Sequence, residues 1–146
     1  MISIQFPQPD FKVQHKNGAP YIFDRIRKKW LLLQEEEWVR QNWVQYLLQT
    51  MDYPQTLIAL EKEIRLGELK KRFDILVYDT QLRPWMLIEC KAPQVPLSDN
   101  TLGQVLRYNI TLPAQYLIIT NGNHTMGWQK STTGLAEITQ LPRFEK

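Results

Sequence analysis

Hydrophobic positions along the first third of the chain predict one amphipathic helix. From Gln34 to Met51, the apolar residues Val39, Trp43 and Leu47 recur at four-residue spacing, which places them on one face of a helix. Three glutamates fill the first turn, where the helix dipole favours negative charge. Tyr53-Pro54 ends the segment. We therefore predict a helix over residues 34–51 that packs one side against a core.

Three apolar runs separated by turn residues predict neighbouring antiparallel strands. They are Leu57–Ile64, Phe73–Tyr78 and Trp85–Ala92, with turns at Gly67-Glu68 and at residues 80–84. Before the helix, the basic segment 1–33 is expected to hold short strands and turns, with an extended pair in Tyr21–Leu33.

The second half of the chain predicts a helical crossover followed by a buried strand. A helix is expected over Asp99–Leu112, and Tyr116–Thr120 is continuously apolar, as in a strand buried on both faces. The crossover length predicts that this strand runs parallel to Trp85–Ala92. Thr125–Lys130 is expected to return as an edge strand, and residues 131–146 are weakly patterned.

This order of elements predicts an α/β fold with a mixed central β-sheet flanked by helices. We expect a single domain over residues 1–146. Its parts are a basic N-terminal region of strands and turns (1–33), a core (34–122), and a C-terminal edge strand and tail (123–146).

Composition narrows the possible classes of protein. The 146 residues are 43% hydrophobic and 23% charged, as in an ordinary globular domain. Lys and Arg exceed Asp and Glu by 18 to 15, which is mildly favourable for a polyanionic partner. Six basic residues in the first 30 fit either a solvated face, the simpler interpretation, or a nucleic-acid groove.

Cysteine, histidine and hydropathy set further limits. The one cysteine, Cys90, excludes an internal disulfide and a Cys-rich zinc site, and two histidines provide little for an imidazole metal cluster. No apolar run approaches the roughly 20 residues needed to span a bilayer, and no signal peptide opens the chain. We expect a cytoplasmic protein with no membrane partner.

Three charged residues interrupt strands that otherwise look built for burial. Alternation places Asp74 on one face with Leu76 and Tyr78, and Glu89 on one face with Lys91. The opposite faces would carry Phe73, Ile75 and Val77 on the first strand, and Ile88 and Cys90 on the second. Charges are seldom removed from water unless they are paired or hold a metal. A structural ion-pair network at a strand edge is the plain alternative.

These residue types suit phosphodiester hydrolysis. Mg²⁺ prefers oxygen ligands, which Asp74 and Glu89 on neighbouring strands would provide, and the backbone carbonyl of Cys90 could be a further ligand. The ammonium of Lys91 could orient or deprotonate the attacking water, or neutralise charge on phosphorus. Mn²⁺ can substitute for Mg²⁺ in such a site.

The pattern consists of Asp74 and the Glu89-x-Lys91 pair in apolar strands, followed by a predicted helix with Gln-x-x-x-Tyr spacing. It resembles the PD-(D/E)XK nuclease superfamily. Its closest likeness there is to the N-terminal nuclease domain of type I restriction enzyme R subunits. The matching segments span roughly residues 34–122 and read, in order, EEEWVRQ, KKRFDILVYD, LIECKAP, GQVLRYN and LIITNG. Phe73 stands where the superfamily has its proline.

The resemblance implies roles for individual residues. Asp74 and Glu89 would be metal ligands and Lys91 the catalytic lysine, while Glu36 would support the metal site through water or Arg40. Gln104 and Tyr108 fall on the QxxxY element, which in related nucleases looks to the active site and DNA. Arg72 and Arg107, which lie beside these elements, are the further candidates for contact with DNA.

The expected function is a Mg²⁺-dependent DNA endonuclease domain. No G-x-x-x-x-G-K-[ST] phosphate loop occurs, so we expect any helicase motor, translocase or methyltransferase to be a separate subunit. A homodimer is possible, because cutting both strands needs a second site. The alternatives are a non-catalytic nucleic-acid-binding or adaptor module that keeps the fold, and a repair or junction-resolving nuclease.

Overall fold

The central feature of the fold is a six-stranded sheet whose strands lie in sequence order. The computed structural model describes residues 1–98, 103 and 114–145. The strands are β4 (Ile58–Leu66), β5 (Leu69–Tyr78), β6 (Pro84–Cys90), β7 (Tyr116–Thr120), β8 (Thr125–Ser131) and β9 (Gly134–Ile138), where β1–β3 belong to a separate sheet described below. Neighbours are antiparallel except β6 and β7, which run parallel. The predicted mixed sheet and its parallel pair are confirmed.

The C-terminal edge differs from the prediction. Strand β8, expected at the edge, lies inside the sheet, and β9 covers it with pairs from Gly127↔Ile138 to Ser131↔Gly134. Residues 131–146 gave no clear signal because β9 is only five residues long, and Leu135 and Ile138 are its only partly buried positions. Those two side chains pack against opposite clusters of the core.

The predicted first helix is confirmed as α1 (Glu35–Gln45), which continues through a π-helical turn over Tyr46–Thr50. It covers one face of the sheet, where Val39, Trp43 and Leu47 join the first core cluster together with Ile75, Ile88 and Ile118. The indole Nε1 of Trp43 donates to Thr120 Oγ1 at 3.1 Å and so ties the helix to β7. The helix expected over Asp99–Leu112 lies outside the described residues.

A second cluster covers the other face of the sheet. Phe73, Leu76, Leu87, Leu117, Ile119 and Trp128 form its buried part together with Ala114. Strands β5, β6 and β7 are therefore buried on both faces, which explains their nearly continuous apolar sequence.

The basic N-terminal region forms a small antiparallel sheet of β1 (Val13–Lys16), β2 (Ala19–Asp24) and β3 (Lys29–Leu32). Asp24 is fully buried and accepts hydrogen bonds from Arg27 Nε at 2.7 Å and Gln41 Nε2 at 3.1 Å. Because Gln41 belongs to α1, this carboxylate fixes the small sheet to the helix. Within the described ranges, no helix is long and apolar enough to cross a membrane.

Candidate functional site

The site lies where β5 and β6 separate. Their ladder runs from Tyr78↔Pro84 to Ile75↔Ile88, and the next residues, Asp74 and Glu89, form no backbone pair. Instead, Asp74 Oδ2 accepts the backbone N–H of Cys90 at 2.9 Å. Strand β6 stays paired with β7 through Cys90↔Thr120, so it is β5 that diverges. The Asp74 carboxylate thus takes the place of a backbone carbonyl as the acceptor for the Cys90 N–H, and β5 and β6 are no longer paired beside Glu89.

A backbone irregularity turns Asp74 towards α1. Glu61 has a φ of +55°, and the pairs Leu60↔Ile75 and Lys62↔Phe73 flank it without a Glu61–Asp74 pair between them. On β4, Ile58 and Leu60 pack in the first cluster, but Ile64 packs against the second. On β5, Ile75 and Val77 pack in the first cluster, but Phe73 packs in the second. In both strands, therefore, the side chains exchange faces of the sheet at this point.

This shift corrects two predictions. Asp74 does not share a face with Leu76 and Tyr78, and Phe73 does not share one with Ile75 and Val77. The physical reason is the left-handed conformation of Glu61, which interrupts the two-residue period that the prediction assumed. As a result, Asp74 and Glu61 both face the first turns of α1.

Arg40 of α1 is the cation that these acids surround. Its Nη2 lies 2.6 Å from Asp74 Oδ1 and 2.5 Å from Glu61 Oε1, and its Nη1 lies 2.7 Å from Glu37 Oε1. Glu36 Oε1 is further away, at 3.6 Å from Nη2. Burial opposes the charge of Arg40, but its hydrogen bond to Asp74 and the surrounding carboxylates raise its pKa above the ordinary value. The guanidinium therefore stays charged within the protein.

Glu89 is the least satisfied acid of the site. Its side chain is buried, and among the described residues its Oε1 has no hydrogen-bond partner. Burial raises the pKa of Glu89 to about 7, and the negative charge of Asp74 adds to the rise. The charges of Lys71 and Lys91 and a hydrogen bond from the backbone of Asp74 oppose it. A cation bound at the Glu89 carboxylate would therefore stabilise its ionised form.

Lys91 and Glu36 complete the group. Lys91 is half-buried, and its charge lowers the pKa of both Glu36 and Glu89. The net pKa of Glu36 is nevertheless raised, first by burial and then by the charge of Asp74. Asp74, Glu36, Glu89 and Lys91 therefore share one electrostatic neighbourhood. The Cys90 thiol belongs to the first core cluster, where burial first and then the charge of Asp74 raise its pKa well above the ordinary value.

The carboxylate oxygens of the site are the kind of ligand that a hard divalent cation prefers. Glu89 Oε1 is a buried, unpartnered carboxylate oxygen, and Asp74 lies next to it. However, both Asp74 oxygens already accept hydrogen bonds, from Arg40 and from Cys90. Among residues 1–98, 103 and 114–145, no three Asp, Glu, His or Cys side chains are grouped closely enough to hold an ion. An ion at Glu89 would therefore share Asp74 with Arg40.

The other predicted residues have different outcomes. The side chain of Arg72 is 67% exposed, and its Nη1 lies 3.9 Å from Glu61 Oε2. It lines a cavity of about 640 Å³ that also contacts Glu36, Arg40 and Glu61. Gln104, Arg107 and Tyr108 lie outside the described residues.

Sequence reasoning missed two acids that contact Arg40. Glu37 was visible as a possible partner because it lies three residues before Arg40 on the same helix. It also accepts a hydrogen bond from Arg27 Nη2 at 3.2 Å, which links the site to the small sheet. Glu61 carried no such signal, since its position depends on a backbone irregularity rather than on spacing.

The family model for the type I restriction enzyme R protein N terminus matches residues 35–142. The chain belongs to this family. The match covers α1 and all six strands of the central sheet, including the separation of β5 and β6, and it confirms the resemblance seen in the sequence motifs. The small N-terminal sheet lies outside it. A comparison with curated proteins found no significant match.

Two solved structures are similar to this member of the R-protein family. A DUF820 protein from Anabaena variabilis, provisionally assigned as a nuclease, superposes with a TM-score of 0.50 at 11% identity, over 85% of this chain and 79% of its own. This likeness is one of fold and is consistent with the predicted restriction-endonuclease-like architecture. The type IIG restriction endonuclease BpuSI matches with a TM-score of 0.46 at 18% identity over 67% of this chain. The chain spans 12% of that enzyme's length.

Proposed function

We propose that this domain is a Mg²⁺-dependent DNA endonuclease that hydrolyses phosphodiester bonds. The observation that supports it most strongly is the unpartnered Oε1 of Glu89, buried beside Asp74 where two strands separate. A buried carboxylate oxygen without a partner is costly, and a functional site is one place where such a cost is retained. Membership of a restriction-enzyme family supports the same proposal.

Each residue would have a distinct role in this reaction. Asp74 and Glu89, with the backbone carbonyl of Cys90, would hold the ion. When bound, Mg²⁺ or Mn²⁺ would polarise the phosphoryl group and lower the pKa of a water molecule. Lys91 would hold that water or stabilise negative charge on the phosphate. Glu36 would position Asp74, directly and through Arg40, and Arg72 would contact the DNA backbone.

The remaining roles rest on the family resemblance alone. Gln104 and Tyr108 would face the active site and DNA, and Arg107 would contact phosphate. The domain would act with DNA and with a helicase, translocase or methyltransferase, because the family is named for one protein of a type I restriction enzyme. A homodimer would allow both strands to be cut.

Plasmid nicking tests the proposal. Supercoiled plasmid is incubated with the folded chain and either Mg²⁺, Mn²⁺ or EDTA, and the relaxed form is measured. We expect metal-dependent nicking that falls by at least about 100-fold in Glu89→Gln and in Lys91→Gln, because each loses a group that acts on the reacting phosphate. Arg83→Gln, in the exposed β5–β6 turn, is the matched control. Folded protein that shows no metal-dependent nicking contradicts the proposal.

The second candidate is a non-catalytic DNA-binding module that keeps the fold. The observation that favours it is the ion pair between Arg40 and Asp74, which gives the carboxylate a resident cation. Such a module would bind DNA with a salt-dependent affinity, but Mg²⁺ would neither stabilise the protein nor produce cleavage. The same assay, with thermal melting in Mg²⁺, separates the two.

A further inference from the structure

The small N-terminal sheet presents an aromatic and basic face to solvent. Strand register pairs Tyr21 with Leu32 and Phe23 with Trp30, so these four side chains share one face. On the other face of β2, Ile22 and Asp24 are buried, and Asp24 contacts Gln41 of α1. We call the exposed side the outer face; its residues are Lys12, Gln14, Lys16, Tyr21, Phe23, Trp30 and Leu32.

Apolar groups on the outer face remain accessible. Trp30 is 40% exposed and Leu32 is 43% exposed. The rings of Phe23 and Trp30 meet edge to face with centroids 5.4 Å apart. The exposed part of the Trp30 indole provides a surface on which another flat ring can stack.

The charges of the outer face have one sign. Lys12 continues the ladder, since its carbonyl accepts the N–H of Phe23, and its Nζ lies 5.7 Å from the centre of the Phe23 ring. Lys16 lies two positions beyond Gln14 on the same face. Within β1–β3 the single acid, Asp24, points inward and is buried, and Asp10, two residues before Lys12, is paired with Arg25. The face is therefore complementary to an anion that carries flat rings.

The outer face borders a cavity next to the candidate active site. Leu32 lines the cavity of about 640 Å³ whose other walls include Glu36, Arg40 and Arg72. Lys29, the first residue of β3, lines the same cavity. A chain that crosses β3 at Leu32 would therefore reach the space in front of Arg40, where the basic side chains of Lys29 and Arg72 lie among the acids of the site.

We propose that the outer face binds a single strand of DNA, with bases stacked on Trp30 and phosphates at Lys12 and Lys16. Only unpaired bases expose their ring faces for stacking, whereas a duplex would use the lysines alone. This inference rests on the proposed function, and it specifies that the DNA presented to the site is unpaired on one side of it.

Fluorescence anisotropy tests the proposal directly. The probe is a fluorescein-labelled 15-nucleotide oligo-dT, compared with a duplex of the same length, and both are measured with the full chain in EDTA so that no cleavage occurs. We expect tighter binding of the single strand. Trp30→Ala should weaken that binding by at least about fivefold, the lower end of what one stacked base contributes, while Trp30→Phe retains most of it.

Matched variants separate stacking from charge and from folding. Leu82→Ala, which removes another exposed apolar residue, and Arg83→Gln should leave the affinity unchanged. The double variant Lys12→Gln/Lys16→Gln should reduce the slope of log affinity against log salt by about 1.4, as expected for two lost phosphate contacts on a single strand. This variant keeps the proposal testable if Trp30→Ala does not fold.

Three results would overturn the proposal. Equal affinity of wild type and Trp30→Ala for the single strand, with DNA binding retained, would leave the nuclease proposal intact and reject the outer face. A concentration-dependent dimer that Trp30→Ala dissociates, with DNA affinity unchanged, would identify the face as a protein interface. Metal-dependent nicking without any single-strand binding in EDTA would likewise reject the face and keep the nuclease.

Discussion

Arg40 Nη2 donates to Asp74 Oδ1 at 2.6 Å, so the acid predicted to hold a metal already has a cation beside it. The two residues lie 34 positions apart and belong to different elements. Both are buried, and Arg40 also neutralises Glu37 and Glu61. Arg40 therefore keeps a dense cluster of carboxylates stable when no divalent ion is present.

Replacing Arg40 should destabilise the protein and make its stability depend more strongly on Mg²⁺. Arg40→Gln leaves buried carboxylates unpaired, so we expect the free energy of unfolding in EDTA to fall by roughly 3–5 kcal/mol. Mg²⁺ should then raise the melting temperature of the variant more than that of wild type, because the ion no longer shares Asp74.

Thermal melting with and without Mg²⁺ measures both effects. Arg83→Gln removes an exposed ion pair with Asp79 and should change neither. Arg40→Lys keeps a positive charge and should fall between wild type and Arg40→Gln. An equal Mg²⁺ increment in wild type and Arg40→Gln would contradict this competition.

The raised pKa of Glu89 predicts that the stability of the protein depends on pH. Because burial raises its pKa from 4.5 to about 7, the folded protein binds a proton that the unfolded chain has already released between these values. Wild type in EDTA should therefore lose stability as pH rises from about 4.5 to about 7. Glu89→Gln, which cannot ionise, should gain an advantage over wild type across this window and keep it above about pH 7.

Chemical denaturation of wild type and Glu89→Gln at several pH values gives the difference that belongs to Glu89. Comparing the two proteins cancels the contributions of other acids, including Glu36, whose pKa is also raised. A stability difference that does not change between pH 4.5 and pH 7.5 would show that Glu89 ionises as it does in the unfolded chain.

Two aspartates with similar partners should differ in their contribution to stability. Asp24 contacts Arg27 at 2.7 Å and is buried, whereas Asp10 contacts Arg25 at 2.6 Å and is 51% exposed. Asp24→Ala should lower the free energy of unfolding by roughly 3–5 kcal/mol, and Asp10→Ala by at most about 1 kcal/mol.

Urea denaturation of both variants measures the difference, and Asp24→Asn provides a milder substitution that keeps the shape of the side chain. The physical reason is that water replaces the lost partner of Arg25 but reaches Arg27 and Gln41 poorly. Equal losses for Asp24→Ala and Asp10→Ala would mean that the small sheet is not fixed to α1 through this carboxylate.

Gly122, in the turn after β7, should tolerate a side chain less well than Gly18. Both have positive φ, +89° and +77°, so alanine is strained by about 1 kcal/mol at either position. An added Cβ at Gly122 would also lie 3.3 Å from Val39 Cγ2, whereas Gly18 has no atom within 4 Å. We expect Gly122→Ala to be the more destabilising in thermal melts, and equal shifts would show that Val39 moves aside freely.

Several features of the fold were readable from local patterns. The stripe that contains Val39 and Trp43 predicted α1, and the apolar run Tyr116–Thr120 predicted a buried strand, because each pattern reflects burial against neighbouring elements. The parallel pairing of β6 and β7 followed from the length of the crossover between them. By contrast, β9 was missed because it is short and mostly exposed.

The residue types of the candidate site were also visible in the sequence, but their arrangement was not. Asp74, Glu89 and Lys91 stood out as charges in apolar strands, since ionised groups are rare in buried positions. The face assigned to Asp74 was wrong because Glu61 adopts a left-handed conformation that shifts the alternation of β4 and β5. No spacing rule anticipates such a shift.

By itself, the sequence determined the class of the fold, the family, and the acids and lysine that carry the candidate chemistry. These follow from short-range patterns of burial and from the order of motifs within one chain segment. Only the tertiary structure decided that Arg40 lies among Asp74, Glu61 and Glu37, and that Glu89 has an unpartnered oxygen. The physical reason is that electrostatic energy depends on distances and burial across separate elements, which the order of residues does not contain.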